Sequence, residues 1–194
     1  MDTDVYKTPE SEIVADNNES LEFYVVSPKK FLVLQLITVG LYSIYWFYKH
    51  WALYKTKHNE DIWPVMRGIF QIFFAHSLFE AFKIRAKEMK NNLSWSASWM
   101  ATLFVILSII SAVADRMSYK EIGSPYSDLI SLILLPIVTW ILFKAQKVAN
   151  IACNDPNGES NANFTGLNAL WIVVGGCFWL VALFGYYVIY AGIE

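Results

Sequence analysis

The sequence predicts an all-α fold: a polytopic membrane helix bundle of four transmembrane helices plus a long amphipathic helix that is interfacial or re-entrant. Two observations support this prediction. First, 56% of the 194 residues are hydrophobic, 16% are charged, and the mean hydropathy is +0.36, whereas a soluble domain carries about 25% charged residues. Second, residues 31–48, 97–114, 129–143 and 164–193 contain no Asp, Glu, Lys or Arg, so they lack the polar face that a helix in water needs.

The chain begins with an acidic segment, residues 1–28. Such a segment buries too little apolar surface to order itself, so we expect a mostly flexible tail over residues 1–28 and a transmembrane domain over residues 29–194. The tail lacks the apolar core of a secretory signal peptide, and Lys29 and Lys30 are expected to mark the lipid boundary by snorkelling. The segment contains one base, Lys7, and seven acids: Asp2, Asp4, Glu10, Glu12, Asp16, Glu19 and Glu22.

Four apolar runs are interpreted as spans. They cover about residues 31–48, 95–114, 129–143 and 168–190. The first run ends in aromatic residues and is followed by Lys49, which is typical of a membrane interface. Glycine lets membrane helices approach closely, and we therefore predict helix packing at three positions: Gly40 in the first span, and Gly175 and Gly176 in the fourth.

Residues 64–90 are the ambiguous segment. The run is apolar at first but contains Arg67, and a central arginine opposes insertion by about 3 kcal/mol. From residue 75 onward the pattern is amphipathic. We interpret residues 64–90 as one long helix in the membrane interface, with a true span and a re-entrant hairpin as alternatives. Its polar face carries His76, Glu80, Lys83, Lys87 and Lys90, and its apolar face carries Leu78, Phe79, Phe82 and Ala86.

The positions of the bases predict the orientation, because cytoplasmic loops are enriched in Lys and Arg. With four spans, ten bases lie inside and five outside; if residues 64–82 also cross, nine lie inside and five outside. Both arrangements place loops 83–96 and 144–166 in the cytoplasm, and loop 115–127 and Glu194 outside. The four-span arrangement places the amino-terminal tail outside.

Arg67, His76 and Glu80 form the most promising polar constellation. His76 and Glu80 are four residues apart and can meet on one helix face, where they could tune a proton relay or bind a metal. The favoured interpretation is a solvated interfacial face with Arg67 near lipid phosphate, so we expect no catalytic residue, metal or cofactor. Four further bases are expected to contact anionic headgroups or a soluble partner: Lys83, Arg85, Lys87 and Lys90.

Part of the first predicted span carries a recognisable motif. The pattern T-x-G-x-Y-x-x-Y-W, formed by Thr38, Gly40, Tyr42, Tyr45 and Trp46, resembles the signature of a bacterial family of small multipass inner-membrane proteins of unknown function. The resemblance implies a multipass protein of the cell inner (plasma) membrane. It implies no activity and no catalytic residues.

Several function classes are disfavoured by the sequence. The formal net charge of −2 gives no basic footprint for nucleic acid, and no Gly-rich phosphate loop, H-E-x-x-H helix or nucleophile elbow is present. We therefore expect a non-enzymatic integral membrane protein that acts as a scaffold, sensor or partner-binding subunit. Its partners would be the lipid bilayer, a second copy of the chain, or a membrane or cytoplasmic protein. The alternative is a small oligomeric channel or transporter-like component.

Overall fold

The computed structural model describes residues 21–90, 93–123 and 126–191. Residues 1–20 of the predicted acidic tail and the predicted position of Glu194 lie outside this part of the chain. The all-α prediction is confirmed, since the described residues contain seven α-helices, a short 3-10 turn and no strand. The helices are α1 (Pro28–Ile37), α2 (Tyr42–His58), α3 (Pro64–Ile69), α4 (Gln71–Met89), α5 (Ala97–Tyr119), α6 (Tyr126–Ala152) and α7 (Gly166–Ala191).

Three helices are long and apolar enough to cross a membrane: Ala97–Tyr119, Leu129–Ala152 and Gly166–Gly185. They correspond to three of the predicted spans, and they support an integral membrane protein. At about 1.5 Å per residue, each reaches the roughly 30 Å of a bilayer core. The prediction of four spans plus one long amphipathic helix is wrong, because neither residues 31–48 nor residues 64–90 form a continuous helix.

The first predicted span is divided by a turn at residues 38–41. The backbone is left-handed at Val39 (φ 52°) and Gly40 (φ 87°), and the Gly40 N–H donates to the Gln35 carbonyl at 2.9 Å. This bond ends α1 in the manner of a glycine helix cap. The Thr38 hydroxyl then accepts a hydrogen bond from the Tyr42 N–H at 3.0 Å and starts α2. Gly40 therefore lies in a turn, whereas a packing position inside a helix was predicted.

The helices α1 and α2 form an antiparallel hairpin. Phe31 lies against Trp46, with ring centroids 6.2 Å apart, and the Tyr24 N–H donates to His50 Nδ1 at 3.2 Å. With ten residues, α1 is about 15 Å long, which is half the thickness of a bilayer core. The tip of the hairpin meets α6 near its middle, because a Cβ on Gly40 would lie 3.4 Å from Leu135 Cδ1.

Residues 64–90 are also divided, at Phe70, into α3 and α4. Helix α3 runs antiparallel to α2, and Gly68 fits so closely that a Cβ there would lie 2.8 Å from the Ile44 carbonyl oxygen. Helix α4 runs back, with Phe82 against Trp46. Its predicted apolar face does not lie on the membrane surface, since Ala75, Leu78, Phe79, Phe82 and Ala86 are buried in the protein core. The amphipathic pattern predicted that one face of the helix is buried, but it does not distinguish burial in the membrane interface from burial in the protein core.

The three long helices alternate in direction. Asn150 of α6 lies beside Val26 and Leu135 beside Gly40, so α6 runs antiparallel to α1. Gly175 of α7 lies beside Ile37, so α7 runs parallel to α1. We call the end of the bundle that holds residues 22–27, 49–63, 83–96 and 144–166 the basic end. The end that holds the connection between α5 and α6 is the opposite end.

Candidate functional site

Residues 22–27 form an extended segment that lies in a groove of the bundle at the basic end; we call it the docked segment. Phe23, Val25 and Val26 are buried. An extended chain leaves its backbone polar groups unpaired, and burial of such groups is unfavourable without partners. Here side chains supply the partners: Cys153 Sγ donates to the Phe23 carbonyl at 3.5 Å, and Asn161 Nδ2 donates to the Val25 carbonyl at 2.8 Å.

A fully buried polar network lies beneath the docked segment. Gln146 Nε2 donates to the Tyr24 carbonyl at 2.9 Å and to Asn150 Oδ1 at 2.6 Å. Gln146 Oε1 accepts from Trp46 Nε1 and faces His50 Nε2 at 3.4 Å. His50 Nδ1 accepts from the Tyr24 N–H, so the remaining proton of a neutral imidazole is on Nε2. Each member therefore has a defined donor or acceptor role, and the network fixes the register of the segment.

His50 is neutral in this network. It lies on α2, outside the three spanning helices, and it is fully buried. Burial lowers its pKa to about 3, although the hydrogen bond to Gln146 opposes this shift. Desolvation disfavours the charged form of an imidazole. His50 is thus a structural hydrogen-bonding residue at neutral pH.

The start of the docked segment is fixed by Glu22. Its carboxylate lies 2.9 Å from His58 Nε2 and 3.3 Å from Arg85 Nε. Arg85 also bonds Glu88 Oε2 through Nη1 at 2.6 Å. These contacts connect the docked segment to α2 and α4 at the basic end.

A cavity of about 310 Å³ opens beside the docked segment, between the α1–α2 hairpin and the start of α7. We call it the lysine cavity. In the described part of the chain, two lysines and no Asp or Glu line it, together with several hydroxyl, amide and aromatic groups. The lining residues are Tyr24, Lys30, Leu34, Thr38, Leu41, Tyr42, Tyr45, Lys49, Asn161, Thr165, Leu167, Asn168 and Trp171.

Lys30 is the unusual residue of this cavity. The sequence indicates a snorkelling lysine, but its side chain is only 2% exposed. Its ammonium group donates to Asn161 Oδ1 at 2.6 Å and to the Asn163 carbonyl at 2.7 Å. No carboxylate of the described residues lies within 4 Å of it, and burial lowers its pKa. Lysine is almost never fully buried without a charged partner, so the cavity holds an uncompensated cation.

Tyr42 and Tyr45 of the lysine cavity keep their phenol protons at physiological pH. The Tyr42 hydroxyl donates to the Tyr24 hydroxyl at 3.5 Å. Burial raises the pKa of Tyr45 to about 12 and also raises the pKa of Tyr42, with Tyr24 adding to both shifts. Lys49 lies over Tyr24, with its Nζ 6.0 Å from the ring centroid. The cavity thus presents ammonium and phenol groups side by side.

The lysine cavity opens sideways. In the described part of the chain, α2 and α7 do not pack against each other, although both line the cavity. The residues on this rim are apolar or aromatic and exposed: Leu41 is 65% exposed, Leu167 is 61% exposed and Trp171 is 48% exposed. Since α7 is apolar enough to span a membrane, such a rim faces the hydrocarbon side of the bundle.

A second cavity, of about 530 Å³, lies between the hairpin tip, α5, α6 and α7. We call it the serine cavity. Gln35 lines it, is 1% exposed, and its Oε1 has no hydrogen-bond partner among the described residues. At the other side of this cavity from Gln35, Asp115 accepts a hydrogen bond from the Ser131 hydroxyl. Further polar residues that line it are Ser43, Gln71, Ser108 and Ser111.

The structure does not bring Arg67, His76 and Glu80 together. The Arg67 guanidinium lies 4.2 Å from the centroid of the Trp51 ring. His76 Nε2 is 3.0 Å from the Thr102 hydroxyl on α5, whereas Glu80 pairs with Lys83 at 2.8 Å. Each of the three has its own local partner.

The remaining predicted residues are placed as follows. Lys87 and Lys90 are exposed at the basic end. Gly175 lies against α1, where a Cβ would be 2.2 Å from the Ile37 carbonyl oxygen, but a Cβ on Gly176 would meet nothing within 4 Å. Sequence reasoning missed Lys30, Gln146 and Asn150. Their signal was weak: a lysine beside a predicted span, and two amides four residues apart in the predicted loop after the third span.

No family model, curated protein or solved structure matches this chain.

Proposed function

We propose that this chain is a non-enzymatic integral membrane protein that binds a ligand in the lysine cavity, as a sensor or a binding subunit. The observation that supports the proposal is the buried ammonium of Lys30, which lines a cavity of about 310 Å³ and has no carboxylate partner in the described part of the chain. A binding site is typically concave and largely apolar, with a few placed polar groups. The lysine cavity has this character, and the Thr38, Tyr42 and Tyr45 positions of the motif line it.

We further propose a bacterial inner-membrane location with the basic end in the cytoplasm. The α1–α2 pair and the α3–α4 pair each begin and end at the basic end. Twelve bases therefore lie towards this end. Of the bases in the described residues, only Arg116 and Lys120 lie at the opposite end. Twelve bases against two is a larger asymmetry than the ten against five of the four-span arrangement. It favours three crossings with residues 21–27 inside. The twelve are Lys29, Lys30, Lys49, Lys55, Lys57, Arg67, Lys83, Arg85, Lys87, Lys90, Lys144 and Lys147.

Ligand binding is tested by filling the cavity from its rim. Leu167 lines the lysine cavity and is 61% exposed, whereas Leu170 is 58% exposed on the same helix and lines no described cavity. The purified full chain is analysed by native mass spectrometry for retained small molecules. We expect wild type and Leu170→Trp to retain a bound molecule and Leu167→Trp to lose it. Equal retention by all three, or retention by none, contradicts the proposal.

A second candidate function is a small channel or transporter-like component. It is favoured by one observation: Leu41 of the hairpin turn lines both the lysine cavity and the serine cavity, so this turn is the partition between them. Release of ions from liposomes that contain the purified chain tests it. A path through the partition predicts faster release for Leu41→Ala than for wild type, and no change for Ile133→Ala on the outside of α6. Release no faster than from protein-free liposomes in every variant contradicts it.

A further inference from the structure

We propose that the ligand of the lysine cavity is an anionic phospholipid, whose phosphate lies between Lys30 and Lys49. This inference rests on the proposed function, since it names the chemical class of the ligand held by the same cavity. Three features of the cavity support it: its charge, its hydrogen-bond donors and its lateral opening.

The charge of the cavity requires an anion. Lys30 and Lys49 line it, and among the residues that the structure describes no Asp or Glu does. The Lys30 ammonium has three N–H donors, of which Asn161 and Asn163 accept two. A third donor therefore remains on a cation that is shielded from water. An anion placed there would neutralise the cation and complete its hydrogen bonding, and a charge-assisted bond of this kind is stronger than a neutral one.

The other polar groups fit the oxygens of a phosphate. Burial raises the pKa of Tyr45 to about 12, so its phenol group stays protonated and can donate, whereas the Tyr42 hydroxyl already donates to Tyr24. Asn161 and Asn168 also line the cavity, and their amides can donate as well. A phosphodiester presents several acceptor oxygens and one negative charge, so it can accept from the ammonium and phenol groups together.

The lateral opening favours a lipid over a soluble phosphate. The gap between α2 and α7 is bordered by Leu41, Leu167 and Trp171, which are exposed and apolar or aromatic. A headgroup that enters through this gap can leave its acyl chains against the apolar surface of α7. The cavity also disfavours a zwitterionic headgroup, because Lys49 already lies over the Tyr24 ring and no carboxylate of the described residues lines the cavity to receive a second cation.

The test compares lipids on the full chain in detergent by native mass spectrometry. Phosphatidylglycerol and phosphatidylcholine are titrated separately. We expect wild type to bind one phosphatidylglycerol about tenfold or more tightly than phosphatidylcholine, since each lysine near an anionic lipid contributes about fivefold in affinity. Lys30→Gln and Lys49→Gln should each lower this preference by about fivefold. Lys144→Gln, an exposed lysine at the basic end that does not line the cavity, should keep it.

The outcomes separate the two proposals. Equal binding of the two lipids by wild type, or an unchanged preference in Lys49→Gln, overturns the lipid inference. In that case the retention experiment decides the binding function. If Leu167→Trp still loses the retained small molecule and Leu170→Trp keeps it, the binding function stands and only the lipid inference falls. A separate titration with sodium phosphate distinguishes a lipid phosphate from a free one. If sodium phosphate raises the melting temperature of the chain as much as phosphatidylglycerol does, the ligand is a soluble phosphate and the lipid assignment is overturned. Lys49→Gln keeps the test valid if Lys30→Gln does not fold.

Discussion

The side-chain amide of Asn150 holds the backbone of Val26 through both of its polar atoms. Asn150 Oδ1 accepts from the Val26 N–H at 3.3 Å, and Asn150 Nδ2 donates to the Val26 carbonyl at 3.0 Å. Both residues are fully buried and stand 124 positions apart in the chain. The amide thus pairs with the extended backbone as a neighbouring β-strand would. The position of the lysine cavity depends on this contact, because Tyr24 and Lys30 stand on either side of Val26.

Removal of this amide should destabilise the fold. Asn150→Ala leaves the N–H and carbonyl of Val26 buried without partners, and each such group costs about 1–3 kcal/mol. We therefore expect a lower melting temperature of the purified chain in detergent. Asn157→Ala is the matched control, because Asn157 is exposed and bonds only locally to Glu159. Equal melting temperatures for the two variants would show that the docked segment does not depend on Asn150.

The hairpin turn can be tested through the strain at Val39. A β-branched residue in the left-handed region is unfavourable by roughly 1–2 kcal/mol, and Val39 has φ 52°. Val39→Gly should therefore raise the melting temperature. The control is Val173→Gly in the middle of α7, where glycine lowers stability by about 1 kcal/mol relative to a helix former. A fall in melting temperature for both variants would indicate that residues 31–48 form a continuous helix.

Gly175 and Gly176 should respond differently to alanine. A Cβ on Gly175 would lie 2.2 Å from the Ile37 carbonyl oxygen, so α1 and α7 must move apart, whereas a Cβ on Gly176 meets nothing within 4 Å. Overpacking of this kind destabilises by about 1–3 kcal/mol. We expect a lower melting temperature for Gly175→Ala and little change for Gly176→Ala. The same response at both positions would contradict the packing of α7 on α1.

His50 predicts a pH dependence of stability. Its pKa in the folded protein is about 3, below the value of about 6.5 expected when unfolded. The unfolded chain therefore binds the proton first, and the free energy of unfolding decreases as pH falls from about 6.5 towards 3, by at most about 1.4 kcal/mol per pH unit. Unfolding measured at several pH values should show a shallower slope for His50→Gln than for wild type. Parallel slopes would mean that His50 is accessible to protons in the folded state.

The long spans could be predicted from the sequence, whereas the cavity could not. Helices α5, α6 and α7 contain charge-free runs, and such runs indicate lipid whatever the tertiary structure. The break at residues 38–41 was missed for two reasons. Hydropathy is averaged over a window, and threonine and glycine, the residue types at positions 38 and 40, are also common inside membrane helices. Lys30 was expected to snorkel, and its burial could not be predicted locally because it depends on Asn161, which lies 131 positions away. Contacts of this kind depend on the chain's path and leave no local pattern.

The most direct measurement is a density map of the full chain in nanodiscs that contain phosphatidylglycerol as the only lipid. We predict density for a phosphate within hydrogen-bonding distance of Lys30 Nζ, with acyl chains leaving the lysine cavity between α2 and α7. The map should also show the α1–α2 hairpin returning to the basic end. An ordered lysine cavity that holds only water, in a map that resolves lipids elsewhere around the bundle, would contradict the account.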